Sequence, residues 1–146
     1  MNVTQELIAG LESIRPDVLV VEDQEISLNF MMTCLQLLGC TVCSAMTTAE
    51  GLAMYAQRRE RVKSGHPYDC VLVDVHIPEK NGIQFMREIR AIDPSQPGAF
   101  VSAAVSDDEM REIQGLGFTG FIEKDNFMEN AKNYLSSMGL YREIKS

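Results

Sequence analysis

Short apolar runs recur along the chain and predict buried strands. In Val18-Leu19-Val20-Val21 every position is apolar, and three of the four residues are β-branched. A run without alternation of apolar and polar residues is typical of a strand that is covered on both faces of its sheet. Runs of this kind predict five strands, at residues 18–21, 40–46, 70–74, 99–104 and 118–123.

A helical pattern follows each of these runs. Apolar residues recur there at spacings of three and four, which predicts helices at about residues 25–38, 47–62, 83–91, 106–116 and 126–138. Strands that alternate with helices predict an α/β fold, in which a parallel sheet lies between helices on both faces.

Three of the helices begin with capping signals. Thr47 and Ser106 are each followed three positions later by a glutamate, Glu50 and Glu109, which is the capping-box pattern. Asn126 is predicted to cap the last helix. The first helix holds more apolar residues than one buried face needs, so part of it is predicted to contact another molecule. These residues are Ile26, Leu28, Phe30, Met31, Met32, Leu35, Leu37 and Leu38.

The first 16 residues are predicted to lie outside the main domain. Their apolar residues have helical spacing and predict a short extra helix, which Arg15-Pro16-Asp17 interrupts. We therefore expect an N-terminal extension at 1–16, a domain at 17–138 and a C-terminal tail at 139–146. The apolar residues of the extension are Leu7, Ile8, Leu11 and Ile14.

The composition narrows the classes of function. The chain has 146 residues, with 21 acidic against 13 basic residues and a net charge of −8. Such a charge disfavours direct binding to nucleic acid or to anionic membranes, and no apolar run is long enough to span a bilayer. The four cysteines lie in apolar stretches, as expected of core residues in a reducing cytoplasm. Cys40 and Cys43 are three apart on a predicted strand, so they should face opposite ways and form no metal site.

Polar residues collect where the predicted strands end. Glu22 and Asp23 end the first strand, Asp74 ends the third, Ser102 lies near the end of the fourth and Lys124 follows the fifth. In an open α/β sheet, ligands bind beyond the carboxyl ends of the strands. The chemistry of the chain is therefore expected at this edge.

Three neighbouring carboxylates need positive charge nearby, since like charges raise one another's pKa values. Mg²⁺, or Mn²⁺ in its place, fits an oxygen-rich site that also binds a phosphate oxygen. Lys124 adds a second positive charge. Such a site favours an anion, and a carboxylate can attack phosphorus to give an acyl phosphate. We expect a phosphoryl group here, which the hydroxyl of Ser102 could also contact.

Four motifs in order resemble the receiver domain of two-component response regulators, the family of the chemotaxis regulators. They are Val-Leu-Val-Val-Glu-Asp at 18–23, Asp74-x-x-x-Pro78-x-x-x-Gly82, Val101-Ser102-Ala103 and Phe121-Ile122-Glu123-Lys124. The resemblance implies a flavodoxin-like, doubly wound sheet with strand order 2-1-3-4-5. It also implies a cytoplasmic signalling switch, not an enzyme, that takes its phosphoryl group from a sensor histidine kinase or a histidine phosphotransfer protein.

The resemblance also implies individual roles. Asp74 would be the phosphoacceptor, and Lys124 would pair with the phosphoryl group. Mg²⁺ would be held by Asp74, by Asp23, by Glu22 through water and by the backbone carbonyl of His76. Ser102 and Phe121 take the two switch positions of the family.

Several alternatives stay open at this point. The domain could stand alone or be part of a hybrid histidine kinase or a larger regulator, and it could form a homodimer. It could also be an interaction module of receiver fold that works without phosphorylation. Two departures favour that reading. Asp125 stands where the family usually has proline, and Phe121 lacks a hydroxyl.

Overall fold

A computed structural model describes residues 2–3, 15–62, 65–117 and 120–142. Its strands are β1 (Asp17–Val21), β2 (Thr41–Ala45), β3 (Cys70–Asp74), β4 (Gly98–Ser102) and β5 (Gly120–Glu123). Its helices are α1 (Glu25–Leu37), α2 (Thr48–Arg61), α3 (Gly82–Ile92), α4 (Asp107–Gln114) and α5 (Phe127–Ser137). The predicted helix within residues 4–14 lies outside the described residues.

All strand pairs are parallel, and the order is β2-β1-β3-β4-β5. This confirms the predicted flavodoxin-like sheet. β1, β3 and β4 lie in its interior, where both faces of a strand are covered, and this explains their unbroken apolar runs. Every residue of β3 and β4 is buried.

Two apolar clusters fill the space between the sheet and its helices. One joins the sheet to α1 and α5 through residues such as Leu28, Leu35 and Phe127. The other joins it to α2, α3 and α4 through residues such as Tyr55, Phe85 and Ile113. The helices therefore cover both faces, as the alternation of elements predicts. None of the described helices is long and apolar enough to cross a membrane.

The cysteines lie where the sequence indicates. Cys34, Cys40 and Cys70 are buried, and Cys43 is half-buried. Cys40 belongs to the cluster beneath α1, whereas Cys43 packs against the cluster on the opposite face. The two therefore face opposite ways, and all four thiols are unpaired.

The capping predictions are only partly right. Ser106 and Glu109 form the reciprocal capping box of α4. The Thr47 side chain accepts from the Glu50 N–H at the start of α2, but the Glu50 carboxylate bonds to Met46 N instead. Asn126 makes no side-chain cap bond, because its backbone is left-handed (φ 57°), not extended as a cap requires. That cap prediction is wrong.

The structure also differs from the prediction in one strand boundary and in the exposure of some apolar side chains. The fourth strand ends at Ser102 and not at residue 104, and Met138 at the end of the last apolar stripe is 41% exposed. The surplus apolar residues of α1 do reach the surface. Ile26, Phe30 and Leu37 are 87%, 55% and 74% exposed.

Gly82 brings α3 directly against the end of β3. Its N–H donates to the carbonyl of Val75 at 3.0 Å. A Cβ at this position would overlap the carbonyl oxygen of Asp74 and press on Val73. Only glycine therefore allows α3 to begin this close to the strand.

Candidate functional site

The sheet brings the predicted site residues to one edge. Val21 pairs with Val73 and Asp74 pairs with Val101, so the ends of β1, β3 and β4 lie side by side. Glu22 follows β1 and is fully buried, and Asp74 is only 5% exposed. Buried carboxylates are costly unless they are paired or hydrogen-bonded. Their partners therefore decide what the site can do.

Asp74 has a partner on each oxygen. Its Oδ1 accepts a hydrogen bond from the backbone N–H of His76 at 2.8 Å. Its Oδ2 lies 2.5 Å from the Lys124 ammonium. The Asp74 carboxylate thus lies at the end of a buried strand, where the His76 N–H and the Lys124 ammonium hold it in place.

The same lysine also reaches Glu22. Its Nζ lies 3.4 Å from Oε1, to which it donates, and 3.2 Å from Oε2. The Gln24 N–H donates to Oε1 at 3.3 Å. Oε2 is buried and accepts no hydrogen bond from any described residue, since its 3.2 Å contact with the lysine has the distance of an ion pair but not the geometry of a hydrogen bond.

The two carboxyl groups respond oppositely to this environment. Burial, a hydrogen bond to Asp74 and the charge of Asp74 raise the pKa of Glu22 to about 7, although Lys124 opposes them. Burial would also raise the pKa of Asp74, but hydrogen bonds from Glu22, Lys124 and the His76 backbone outweigh it and lower that pKa. Asp74 is therefore the first of the two to ionise as the pH rises, and Glu22 keeps its proton up to about pH 7.

Lys124 stays charged in this site. Burial alone would lower its pKa, but the hydrogen bond and charge of Asp74, together with Glu22, outweigh burial and raise it. The charge of Lys124 is thus shared between two carboxyl groups in a poorly solvated place.

The donor set fits a hard divalent cation. Glu22 offers a buried oxygen to which no described group donates a hydrogen bond, Asp74 is the last residue of β3, and Asp23 comes just after the neighbouring strand β1. Among the described residues, no three acidic, histidine or cysteine side chains are grouped closely enough to hold a metal alone. The buried Glu22 oxygen suits Mg²⁺, which keeps several waters and takes only one or two carboxylates.

Ser102 is buried, but its hydroxyl is turned to its own loop. It donates to the carbonyl of Ala104 at 2.8 Å and accepts from the Ala104 N–H at 3.3 Å. The structure thus places Ser102 at the correct strand end without joining it to Asp74. Phe121 on β5 is half-buried and packs against the apolar cluster under α4.

Two polar contacts frame the site, and sequence reasoning missed both. The His76 ring Nε2 lies 2.8 Å from Glu109 Oε2, which links the loop after β3 to the first turn of α4. Asn130 on α5 donates to the carbonyls of Glu123 and Asp125 at 3.2 and 2.9 Å. These carbonyls flank Lys124. An asparagine one turn into a predicted helix is a weak signal, because such residues usually face solvent.

The family model for the response regulator receiver domain matches residues 18–135. The chain belongs to this family. Receiver domains are the signalling switches of two-component systems, and they interact with histidine kinases or phosphotransfer proteins. The match covers all five strands except Asp17, the first residue of β1, and α5 as far as Leu135.

The receiver is similar to known proteins from several organisms. It is 37% identical over 127 residues to hybrid signal transduction histidine kinase L of Dictyostelium discoideum. The aligned region covers 84% of this chain and 7% of that protein. A response regulator receiver domain protein from Clostridium thermocellum superposes with a TM-score of 0.74 at 20% identity, covering 84% of this chain and 93% of that one.

A third relative was solved with ligands. The receiver domain of the histidine kinase CKI1 from Arabidopsis thaliana, complexed with Mg²⁺ and BeF₃⁻, superposes with a TM-score of 0.70 at 27% identity, covering 88% of this chain and 95% of that one. The receiver spans between 7% and 53% of the lengths of the first three curated relatives it matches.

Proposed function

We propose that Asp74 accepts a phosphoryl group and that this receiver thereby switches the surface it offers to partners. The observation that carries the proposal is the pairing of an ionised, buried Asp74 with Lys124 at 2.5 Å. An ion pair that only stabilises the fold does not require further polar groups around it. The features it can do without are an open strand end, a second buried acid with an oxygen that accepts no hydrogen bond, and a hydroxyl at the neighbouring strand end. This site has all three.

The donor would be an N-phosphohistidine of a sensor histidine kinase or a histidine phosphotransfer protein. An oxygen of Asp74 attacks phosphorus, the P–N bond breaks, and the imidazole nitrogen leaves with the bonding electrons and takes up a proton. The product is an acyl phosphate. Lys124 then moves from the carboxylate to a phosphoryl oxygen and offsets its charge.

Mg²⁺, or Mn²⁺, would be held by Asp23, Asp74, the carbonyl of His76 and, through water, Glu22, and it would offset the charge of the transferring phosphoryl oxygens. Glu22 then gives up its proton, because a cation beside it favours the charged carboxylate. The His76 N–H keeps Asp74 oriented throughout.

Ser102 supplies the movable contact. Rotation of its side chain breaks the 2.8 Å bond to the Ala104 carbonyl and turns the hydroxyl toward a phosphoryl oxygen. The vacated space lies next to β5, where Phe121 packs on the cluster under α4. In this way phosphorylation of Asp74 changes the outer surface of α4 and β5 through side-chain packing alone.

Labelling with acetyl phosphate and Mg²⁺ tests the assignment. Wild type should gain one phosphoryl group by intact-mass spectrometry, and Asp74→Asn should gain none. Asp69→Asn is the matched control, since Asp69 lies just before β3 and its side chain is exposed. Equal labelling of wild type and Asp74→Asn would sink the proposal.

The competing function is an interaction module that works without phosphorylation. The observation that favours it is that the Ser102 hydroxyl bonds to Ala104 in its own loop and not to Asp74. A titration with Mg²⁺ separates the two functions. Binding at millimolar metal, seen as shifts of the Glu22 and Asp23 amide signals, supports the phosphoacceptor; a flat titration supports the alternative.

The proposal also includes the limits of the domain, its location in the cell and its partners. Residues 17–138 act as the receiver, between an extension at 1–16 and a tail at 139–146. We place the protein in the cytoplasm, as a switch that catalyses no reaction beyond its own phosphoryl transfer and loss. It can form a homodimer, and with a net charge of −8 it binds neither nucleic acid nor membranes directly.

A further inference from the structure

The edge strand β2 has backbone hydrogen-bonding groups with which none of residues 15–62, 65–117 and 120–142 pairs. The Thr41 N–H donates to the Pro16 carbonyl at 2.8 Å, and the Ala45 carbonyl accepts from the Glu22 N–H at 3.0 Å. Residues 41, 43 and 45 therefore face β1. Because backbone direction alternates along a strand, Val42 and Ser44 point their N–H and C=O groups away from the sheet.

This edge lacks the features that normally protect an exposed strand. Natural edges carry charges, proline or bulges, or are very short. Residues 40–46 contain no charged residue and no proline. Val42, Cys43 and Ser44 are all partly exposed. The opposite edge, β5, is one residue shorter and ends on Glu123. Of the two edges, β2 is thus the one suited to receive another strand.

A small basic cavity lies beside this edge. It has a volume of about 210 Å³ and is lined by Met54, Gln57, Arg58, Arg61 and Tyr68. The Arg58 Nη2 lies 3.9 Å from the Cys43 sulfur, which places the cavity next to the middle of β2.

The two arginines of the cavity differ in their contacts. The Arg58 guanidinium stacks 4.2 Å from the centre of the Tyr68 ring and lies 3.8 Å from Asp17 Oδ2, so it is held in place. Arg61 is exposed and makes no ion pair with any residue in the described ranges. It can therefore reach a ligand at the cavity mouth.

The local charge is opposite to that of the whole protein. Of the three arginines in the last turn of α2, Arg58 and Arg61 line the cavity, whereas Arg59 donates to the carbonyl of Ile92 on α3. Asp17 lies near Arg58, but no acid is among the described residues that line the cavity, while the chain as a whole has a net charge of −8. A basic region beside an uncharged strand edge favours an acidic, extended ligand, since main-chain bonds give affinity and the side-chain pocket gives specificity.

We propose that β2 and this cavity bind an extended acidic segment of a partner protein. The segment adds to β2 as a sixth strand, bonds to the backbone of Val42 and Ser44, and places a carboxylate against Arg58 and Arg61. A second copy of this chain fits less well, because two-fold pairing of β2 would bring two arginine clusters together.

The binding surface is separate from Asp74. None of the groups that hold Asp74 belongs to β2 or lines the cavity. The inference therefore does not depend on the phosphoacceptor proposal, and the partner would hold the receiver in place whether or not Asp74 is modified.

An amide-resolved NMR titration tests the proposal. The probe is an octapeptide of alternating valine and glutamate, and the control is its lysine counterpart. We expect the glutamate peptide to shift the Val42 and Ser44 amides and the Arg61 side chain. The lysine peptide should bind at least about tenfold more weakly, as one lost charge-assisted contact requires.

Two pairs of variants locate the contact. Val42→Pro removes an outward N–H and should abolish binding, whereas Val42→Ala keeps the N–H and should retain it. Arg61→Ala should weaken binding about fivefold or more, whereas Arg87→Ala removes an equal charge from α3 and should change nothing. Asp74→Asn should bind the peptide as wild type does.

Three results would overturn the inference. One is equal affinity for the two peptides. Another is a set of shifts that avoids residues 41–45 and the cavity. The third is a concentration-dependent shift of the β2 signals without peptide, which would assign this edge to a second copy of the chain.

Discussion

The Lys124 ammonium lies 2.5 Å from Asp74 Oδ2 and 3.2 Å from Glu22 Oε2, so one cation serves two buried acids. Replacing Lys124 by alanine should therefore destabilise the metal-free protein by about 3 kcal/mol, because it leaves a buried carboxylate unpaired. Urea unfolding in EDTA measures the loss. Lys80→Ala breaks the more exposed Lys80–Glu88 pair and should cost less than about 1 kcal/mol. Equal losses would contradict this account.

Glu22 makes the stability of the metal-free protein depend on pH. Its pKa is raised from 4.5 to about 7 in the folded state, chiefly by burial. The folded protein thus holds this proton more tightly than the unfolded chain does. The stability it contributes is complete below about pH 4.5 and is lost as the pH rises to about 7.

Glu22→Gln should remove that dependence, since glutamine stays neutral and can still donate to Asp74. We expect the variant to exceed wild type in unfolding free energy above pH 7, with the difference shrinking toward pH 5. Urea unfolding in EDTA across this range measures it, with Glu60→Gln on the exposed face of α2 as the control. A difference that is constant with pH would refute the assignment.

Ser102 should matter more for labelling than for folding. Ser102→Ala loses the two hydrogen bonds between the hydroxyl and the Ala104 backbone, of which one is long, and this costs about 1–2 kcal/mol. It also loses the proposed contact to the phosphoryl group, and the initial rate of labelling by acetyl phosphate should fall about tenfold or more. Ser102→Thr keeps the hydroxyl and should recover most of the rate. Equal rates for the alanine and threonine variants would argue against this role.

Asn130 should fix the loop that carries Lys124. It bonds to the carbonyls of Glu123 and Asp125 on either side of the lysine. Asn130→Ala should lower the unfolding free energy by about 1–2 kcal/mol and speed hydrogen exchange of the amides at 124–127. Asn133→Ala, on the same helix, is the control. Unchanged exchange at this loop would show that other contacts position Lys124.

The sequence was most informative where one physical requirement dominates. The bounds of β3 were predicted exactly, at 70–74, because a fully buried strand has no polar position until Asp74 ends it. Ser106 and Glu109 likewise formed the capping box of α4, since both halves of that motif are local. The convergence of Glu22, Asp74 and Lys124 followed from parallel strand ends meeting at one edge.

Predictions were less successful where tertiary contacts decide. The Asn126 cap failed because the chain enters α5 in a left-handed conformation, and Asn130 from within the helix bonds to this loop instead. The orientation of the Ser102 hydroxyl depends on the Ala104 carbonyl, which no residue pattern reveals. The functional roles of all the site residues remain predictions: Glu22, Asp23, Asp74, His76, Ser102, Phe121 and Lys124.

The contact at Gly82 makes the two sides of the site mechanically unequal. Gly82 brings the backbone of α3 directly against the backbone of Asp74. No side chain lies between them, so a rotamer change cannot alter this contact. On the other side, Lys124 contacts Asp74 through a side chain, and the Ser102 hydroxyl lies at the neighbouring strand end, bonded to Ala104. A change at Asp74 should therefore move residues of β4 and β5, while α3 keeps its position.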